Sequence, residues 1–225
     1  MNVICNNCAG GYFYRDVLKS EYPNPFIWTQ IAAKEFLKLI EKFDEINFYN
    51  YEMLKMQKSD FTDNGDFGEH IWLNQHPLGL RIDNVFTLWF PHILYKKDAI
   101  TPQMISTNVY YKRHFELVIK TFHKRLARMT ESPVFFILDY AWFGWTYDLI
   151  RKAIDLSEKT KYKIVILTNR KIDNSKKAKI IFDEHLHTHP SVAVVDHGNE
   201  LKQEIMIFPY TNGISISDII KRLSV

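Results

Sequence analysis

Five consecutive apolar residues, Val134-Phe135-Phe136-Ile137-Leu138, constrain this chain more than any other feature. Such a run suits a strand buried on both faces, the usual situation in a parallel sheet. The spacing beyond it predicts a helix over Tyr147 to Lys159 and a second buried strand over Lys163 to Leu167. That strand-helix-strand order argues for a parallel pair with a right-handed crossover.

The rest of the chain extends this pattern. Val3-Ile4-Cys5 reads as a short buried strand, and Tyr12 to Lys19 as a short helix. Pro23 and Pro25 then force an extended loop. Gln30 to Phe43 carries Ile31, Ala32, Phe36, Leu39, Ile40 and Phe43 at helical spacing. Strands are expected over Phe48 to Leu54, Ile71 to Leu73 and Val85 to Phe90, with a turn at His76-Pro77-Leu78-Gly79. Ser59 to Gly68 and Asp98 to Thr107 read as loops, and Asn108 to Met129 as the longest helix. Later strands are expected at Lys179 to Phe182, Val192 to Val195 and Glu204 to Phe208, and a terminal helix at Ser217 to Leu223. The expected fold is α/β, with a central mixed, partly parallel sheet and helices on its faces. At 225 residues a single domain is the default, with 1–130 and 131–225 as alternative sub-lobes.

Composition narrows the function classes. The 29 basic and 26 acidic residues leave a net charge of +3, too weak a balance to argue for nucleic acid. The basic cluster Lys112, Arg113, His114, Lys120, His123, Lys124, Arg125 and Arg128 reads first as a solvated helix face. No stretch approaches the ~18 apolar residues of a membrane span. The N-terminus lacks a basic segment followed by an apolar run, so no signal peptide is expected. With only two cysteines, Cys5 and Cys8, a reducing cytoplasm is the expected compartment. The 15% aromatic content is high, enough for a core plus an aromatic-lined cleft.

The turn Asn6-Asn7-Cys8-Ala9-Gly10-Gly11 is the place where chemistry is expected. It follows a strand and precedes a helix. Unpaired amides and the dipole at a helix N-terminus stabilise an anion, which lowers the pKa of a thiol there. The amides of Ala9 and Gly10 could also hold an oxyanion during acyl transfer. Gly10 and Gly11 permit close approach of a substrate, and Asn7 lies in the same turn. Cys5 and Cys8 have C-x-x-C spacing, but Cys5 belongs to the strand and should be buried, which argues against thioredoxin-like redox chemistry. Burial of both cysteines as small apolar side chains is the plain alternative.

A thiolate nucleophile needs a histidine held by a third group. His92 follows the strand Val85 to Phe90, and a strand end beside the first strand could bring it to Cys8. His76 is the second candidate. Asp139 ends the strand Val134 to Leu138 and could orient a histidine. His185, His187 and His189 would share one face of a strand. Neighbours there stand roughly 7 Å apart, so an exposed polar edge is favoured over a metal site. The chain has no glycine-rich phosphate loop, G-x-S-x-G elbow or H-E-x-x-H, and no cofactor or metal is expected.

The segment Ile4-Cys5-Asn6-Asn7-Cys8-Ala9-Gly10-Gly11, then Tyr14, then Tyr22-Pro23-Asn24-Pro25-Phe26, resembles the opening of the DUF1919 family. Its members are bacterial proteins of unknown function often labelled exopolysaccharide biosynthesis proteins. His76-Pro77-Leu78-Gly79-Leu80 and Phe90-Pro91-His92 look like that family's proline-glycine turn and aromatic-x-His strand end. Arg113 matches a basic residue of the following helix, although Tyr110-Tyr111-Lys112-Arg113 stands where the pattern has Trp-x-x-Arg. A related group, DUF1796, is described as papain-like cysteine peptidases. It shares an N-terminal cysteine, an aromatic-x-His element, a basic helix and an apolar strand. The resemblance runs to about the strand Val134 to Leu138. It implies a hydrolase or acyltransferase with Cys8 as nucleophile and His92 as base, and Asp139, read from its strand end, is the candidate third group. Asn7, Ala9, Gly10, Gly11, Tyr14, His76 and Arg113 would bind a small-molecule or glycan substrate. Binding of a phosphate-bearing or glycan ligand without turnover is the second reading, since helix N-termini bind phosphate with no nucleophile. A glycosyltransferase ranks below both, because the chain has no Asp-x-Asp motif.

Overall fold

The computed structural model describes residues 2–6, 14, 24–27, 29–55, 78–90, 108–139, 144–172 and 178–182. Along them run β1 (Asn2–Cys5), α1 (Ala33–Lys42), β2 (Tyr51–Lys55), β3 (Leu78–Ile82), β4 (Phe86–Phe90), α2 (Asn108–Leu126), β5 (Pro133–Leu138), α3 (Tyr147–Lys159), β6 (Lys163–Thr168) and β7 (Lys179–Phe182). The chain is α/β with mixed strand pairing. One sheet is parallel, in the order β1-β5-β6-β7; the other is antiparallel, in the order β2-β3-β4.

The apolar run behaves as its composition demands. Phe135, Phe136, Ile137 and Leu138 are all buried, so both faces of β5 are covered. Phe135 pairs in register with Ile4 of β1 and Ile164 of β6, which puts these three side chains on one face. There the Phe135 ring meets Phe36 of α1 edge-on at 5.9 Å, and Phe43 and Tyr162 at 5.5 and 5.3 Å. Helix α1 buries Ala33, Phe36, Leu37, Leu39 and Ile40, and α3 buries Leu149, Ile150, Ala153 and Ser157. The two helices pack together over the sheet. On the antiparallel side, α2 supplies Val118 and Phe122, and Phe26 bridges Phe122, Phe48 and Phe86. Lys120, Lys124 and Arg128 of the basic cluster are exposed, as a solvated face requires.

β1 is an edge strand, and its outward backbone groups are satisfied by side chains. The Val3 N–H donates to the Tyr14 Oη at 2.7 Å, and Asn24 Nδ2 donates to the Val3 carbonyl at 3.0 Å. Burial pushes the Tyr14 phenol up to about 12, so it stays a neutral hydroxyl.

Two expectations about the antiparallel half are corrected. Gly79 is not in a turn: Leu78–Ile82 is strand β3, and the reversal lies at Asp83-Asn84-Val85. Asp83 and Asn84 take φ of 50° and 55°, a left-handed conformation that these short polar residues tolerate. The Asp83 carboxylate also accepts from the Asn47 N–H and Asn50 Nδ2, which ties the hairpin to the turn before β2 and holds its own pKa down. Gly79 is needed for packing, since a Cβ there would stand 2.4 Å from the Trp89 ring. Helix α1, expected from Gln30, begins at Ala33. Gln30 is extended instead and exchanges both backbone hydrogen bonds with Trp89 at 2.9 Å, while the Ile31 N–H donates to the Asn6 carbonyl at 3.0 Å. Residues 30–31 therefore join the end of β4 to the end of β1. The expected elements at Ile71 to Leu73 and from Val192 onward lie outside the described residues.

Candidate functional site

Asn6 follows β1, Asp139 follows β5, and Thr168 ends β6. Because the three strands are parallel, these polar residues share one end of the sheet, and all three are fully buried. The end of β1 is also tied to the antiparallel strands, through the Ile31 N–H to the Asn6 carbonyl and through Gln30 to Trp89 of β4. In open α/β sheets, ligands bind outside the carboxyl ends of the strands.

Asn6 fixes the end of β1. Its Oδ1 accepts from the Leu138 N–H at 2.9 Å, and its Nδ2 donates to the Leu138 carbonyl at 3.1 Å. A carboxamide has the donor and acceptor of a peptide, so this side chain adds one rung to the β1–β5 ladder. Asp139 carries the charge of the site. Its Oδ2 accepts from Thr168 Oγ1 at 2.6 Å and from Arg170 Nε at 2.7 Å. Arg170 Nη2 reaches the Trp145 carbonyl at 3.3 Å, just before Thr146, whose side chain caps α3 by accepting from the Leu149 N–H. Thr168 Oγ1 also accepts the Arg170 backbone N–H at 2.9 Å. Three buried groups here have no hydrogen-bond partner among the described residues: Asp139 Oδ1, Trp145 Nε1 and both polar atoms of the Gln30 amide.

Of the residues expected from sequence, Asp139 stands in this cluster. Its described partners are a threonine and an arginine, and one carboxylate oxygen remains for a further donor. Tyr14 is 1% exposed and holds the edge of β1, a different use from the substrate contact expected of it. Arg113 falls within α2, the helix over the antiparallel strands. Asn7, Cys8, Ala9, Gly10, Gly11, His76 and His92 lie outside the described residues, as do His185, His187 and His189. Cys5 is buried in β1, as the strand assignment requires. Among the described residues no group of three histidine, cysteine or acidic side chains is placed to hold a metal, and no helix is long and apolar enough to cross a membrane.

Arg170, Thr168, Asn6 and Gln30 were not singled out from sequence. A signal for two of them exists in hindsight: Thr168, one residue after the apolar run Ile164 to Leu167, ends β6, and Arg170 lies two residues on, much as Asp139 follows the apolar run of β5.

Fold and site together define an α/β protein with a half-buried ion pair at the carboxyl ends of its parallel strands. Neither protein-family models nor curated proteins give a match to the chain.

Proposed function

We propose that this protein is a cysteine-dependent hydrolase or acyltransferase of bacterial surface-polysaccharide biosynthesis, with Cys8 as nucleophile and His92 as base. The observation that carries the reading is the ending of β1 beside Asp139 at the carboxyl end of the parallel sheet, held there by Asn6. Only Asn7 separates Cys8 from Asn6, and covalent geometry limits that span to roughly 7 Å between Cα atoms. His92 lies three residues beyond Trp89, whose backbone is tied through Gln30 and Ile31 to Asn6. The anchors on either side of the nucleophile and the base are therefore neighbours. Asp139 Oδ1, buried and without a donor among the described residues, offers the acceptor a histidine needs for orientation.

In this mechanism His92 takes the proton of the Cys8 thiol and the thiolate attacks an acyl carbon. Amides of the Ala9-Gly10 turn hold the oxyanion while the leaving group takes the proton from His92. Water or a sugar hydroxyl then releases the acyl group, giving hydrolysis or transfer. The resemblance to the DUF1919 and DUF1796 families supports the glycan setting and the thiol chemistry. The test is iodoacetamide labelling of the folded protein at pH 7, read by mass spectrometry at each cysteine. Cys8 is expected to react well before buried Cys5, and His92→Ala is expected to slow Cys8 by at least about tenfold. Labelling of Cys8 at the rate of an ordinary exposed thiol, unchanged by His92→Ala, rules out the nucleophile and leaves the turn as a binding site without turnover.

A further inference from the structure

We propose that Arg170 receives an oxyanion of the substrate, a phosphate or a carboxylate carried by a hydroxyl-bearing compound such as a sugar. The inference deepens the preceding reading by naming a substrate class. It uses the same site but does not depend on the Cys8 nucleophile.

Among the described residues the guanidinium is held on one side only. Asp139 Oδ2 takes Nε, and the Trp145 carbonyl takes one N–H of Nη2. Thr168 braces both ends of the pair, donating to Asp139 and accepting from the Arg170 backbone. Nη1 has no partner among the described residues, and the Arg170 side chain remains 28% exposed although its carboxylate partner is fully covered. A planar fork locked in place with one edge unspent matches the geometry of a carboxylate or phosphate.

A second feature points to a ligand at the same head: Asp139 Oδ1, on the carboxylate that binds the Arg170 guanidinium, is buried and has no donor among the described residues. Native structures rarely leave such groups unmade. A carboxylate oxygen has a second lone pair beside the one His92 would use, so the hydroxyl of one hydroxyl-bearing acid can donate to Asp139 Oδ1 while its acid group meets the open Nη1 edge. The arginine also stands beside the N-terminus of α3, whose dipole favours an anion. Arg113, the basic residue expected to fill this role, is on the helix that covers the antiparallel strands.

The experiment is a titration of the full chain with inorganic phosphate and, separately, acetate. Calorimetry gives the affinity and NMR follows the Arg170 Nε–H signal. Arg170→Gln alone would strand a buried carboxylate, so the informative variant is the neutral pair Asp139→Asn with Arg170→Gln. Arg170→Lys, Arg113→Gln and Cys8→Ala accompany it. Millimolar phosphate or acetate is expected to move the Arg170 signal in the wild type and in Cys8→Ala alike. The neutral pair is expected to bind roughly ten- to a hundredfold more weakly, Arg170→Lys to fall between, and Arg113→Gln to bind as the wild type does. The tighter of the two anions identifies the substrate group. An Arg170 signal unmoved by either anion overturns the proposal. So does a folded neutral pair with wild-type affinity, or a loss confined to Arg113→Gln. Because Cys8→Ala retains binding under this proposal, an unreactive Cys8 sinks the nucleophile without touching Arg170.

Discussion

Replacing Asn6 with alanine should loosen the whole carboxyl end of the parallel sheet. The Asn6 carboxamide makes two hydrogen bonds to the Leu138 backbone, at 2.9 and 3.1 Å, and both residues are fully buried. Truncation leaves the Leu138 N–H and carbonyl without partners in a place water does not reach. A buried group left unpaired costs about 1–3 kcal/mol, so the two together should cost about 2–6 kcal/mol. Asn6→Asp is nearly isosteric and sharper still. It keeps the acceptor for the Leu138 N–H but turns a carboxylate oxygen toward the Leu138 carbonyl. At neutral pH it should destabilise more than alanine, and protonation of the carboxyl in acid should recover part of the loss. Urea unfolding followed by circular dichroism measures the stability. Labelling of Cys8 in the folded variants reports whether the neighbouring turn has lost its anchor. A loss below about 0.5 kcal/mol for Asn6→Ala, with Cys8 labelling unchanged, would refute the idea that this amide organises the site.

Other outcomes are equally specific. Tyr14→Phe removes the acceptor of the Val3 N–H and should cost about 1–2 kcal/mol, read by urea unfolding. Gly79→Ala should cost about 1–3 kcal/mol and displace the Trp89 ring, visible as a change in near-ultraviolet circular dichroism. Burial raises the Glu35 carboxyl above its usual 4.5, although the Thr87 N–H and hydroxyl bind it. The folded state therefore holds this proton more tightly than the unfolded chain, and Glu35's contribution to stability should fall as pH rises from below 4.5 through the raised value. Glu35→Gln should remove that downward component, which paired urea titrations across pH 4 to 7 would detect.

Strands buried on both faces and amphipathic helices were legible because their signal is local. The run at β5, the helix over Tyr147–Lys159 and the strand Lys179–Phe182 follow from residue type and spacing alone. β3 was not legible. Gly79 has the turn propensity of any glycine, and its actual reason for being there is the Trp89 ring opposite, a contact made only after the strands pair. Gln30 misled for a related reason: its neighbours have helical spacing, but its backbone is claimed by Trp89. In the site, Asp139 was visible as a carboxylate at a strand end. Its bond to Arg170 spans 31 positions and crosses from β5 to β6, so only the parallel register brings the pair together. The aromatic excess was legible as core material, and Phe26, Phe36, Phe86 and Phe135 bear that out.

The acidity of the Cys8 thiol tests the account most directly. Iodoacetamide labelling of Cys8 across pH 5 to 9 gives that acidity, with Asp139→Asn run beside the wild type. A nucleophile poised at the end of β1 should show a midpoint at least about one unit below the ordinary thiol value of roughly 8.5, shifted again in the variant. A midpoint near 8.5 in both proteins contradicts the assignment of Cys8.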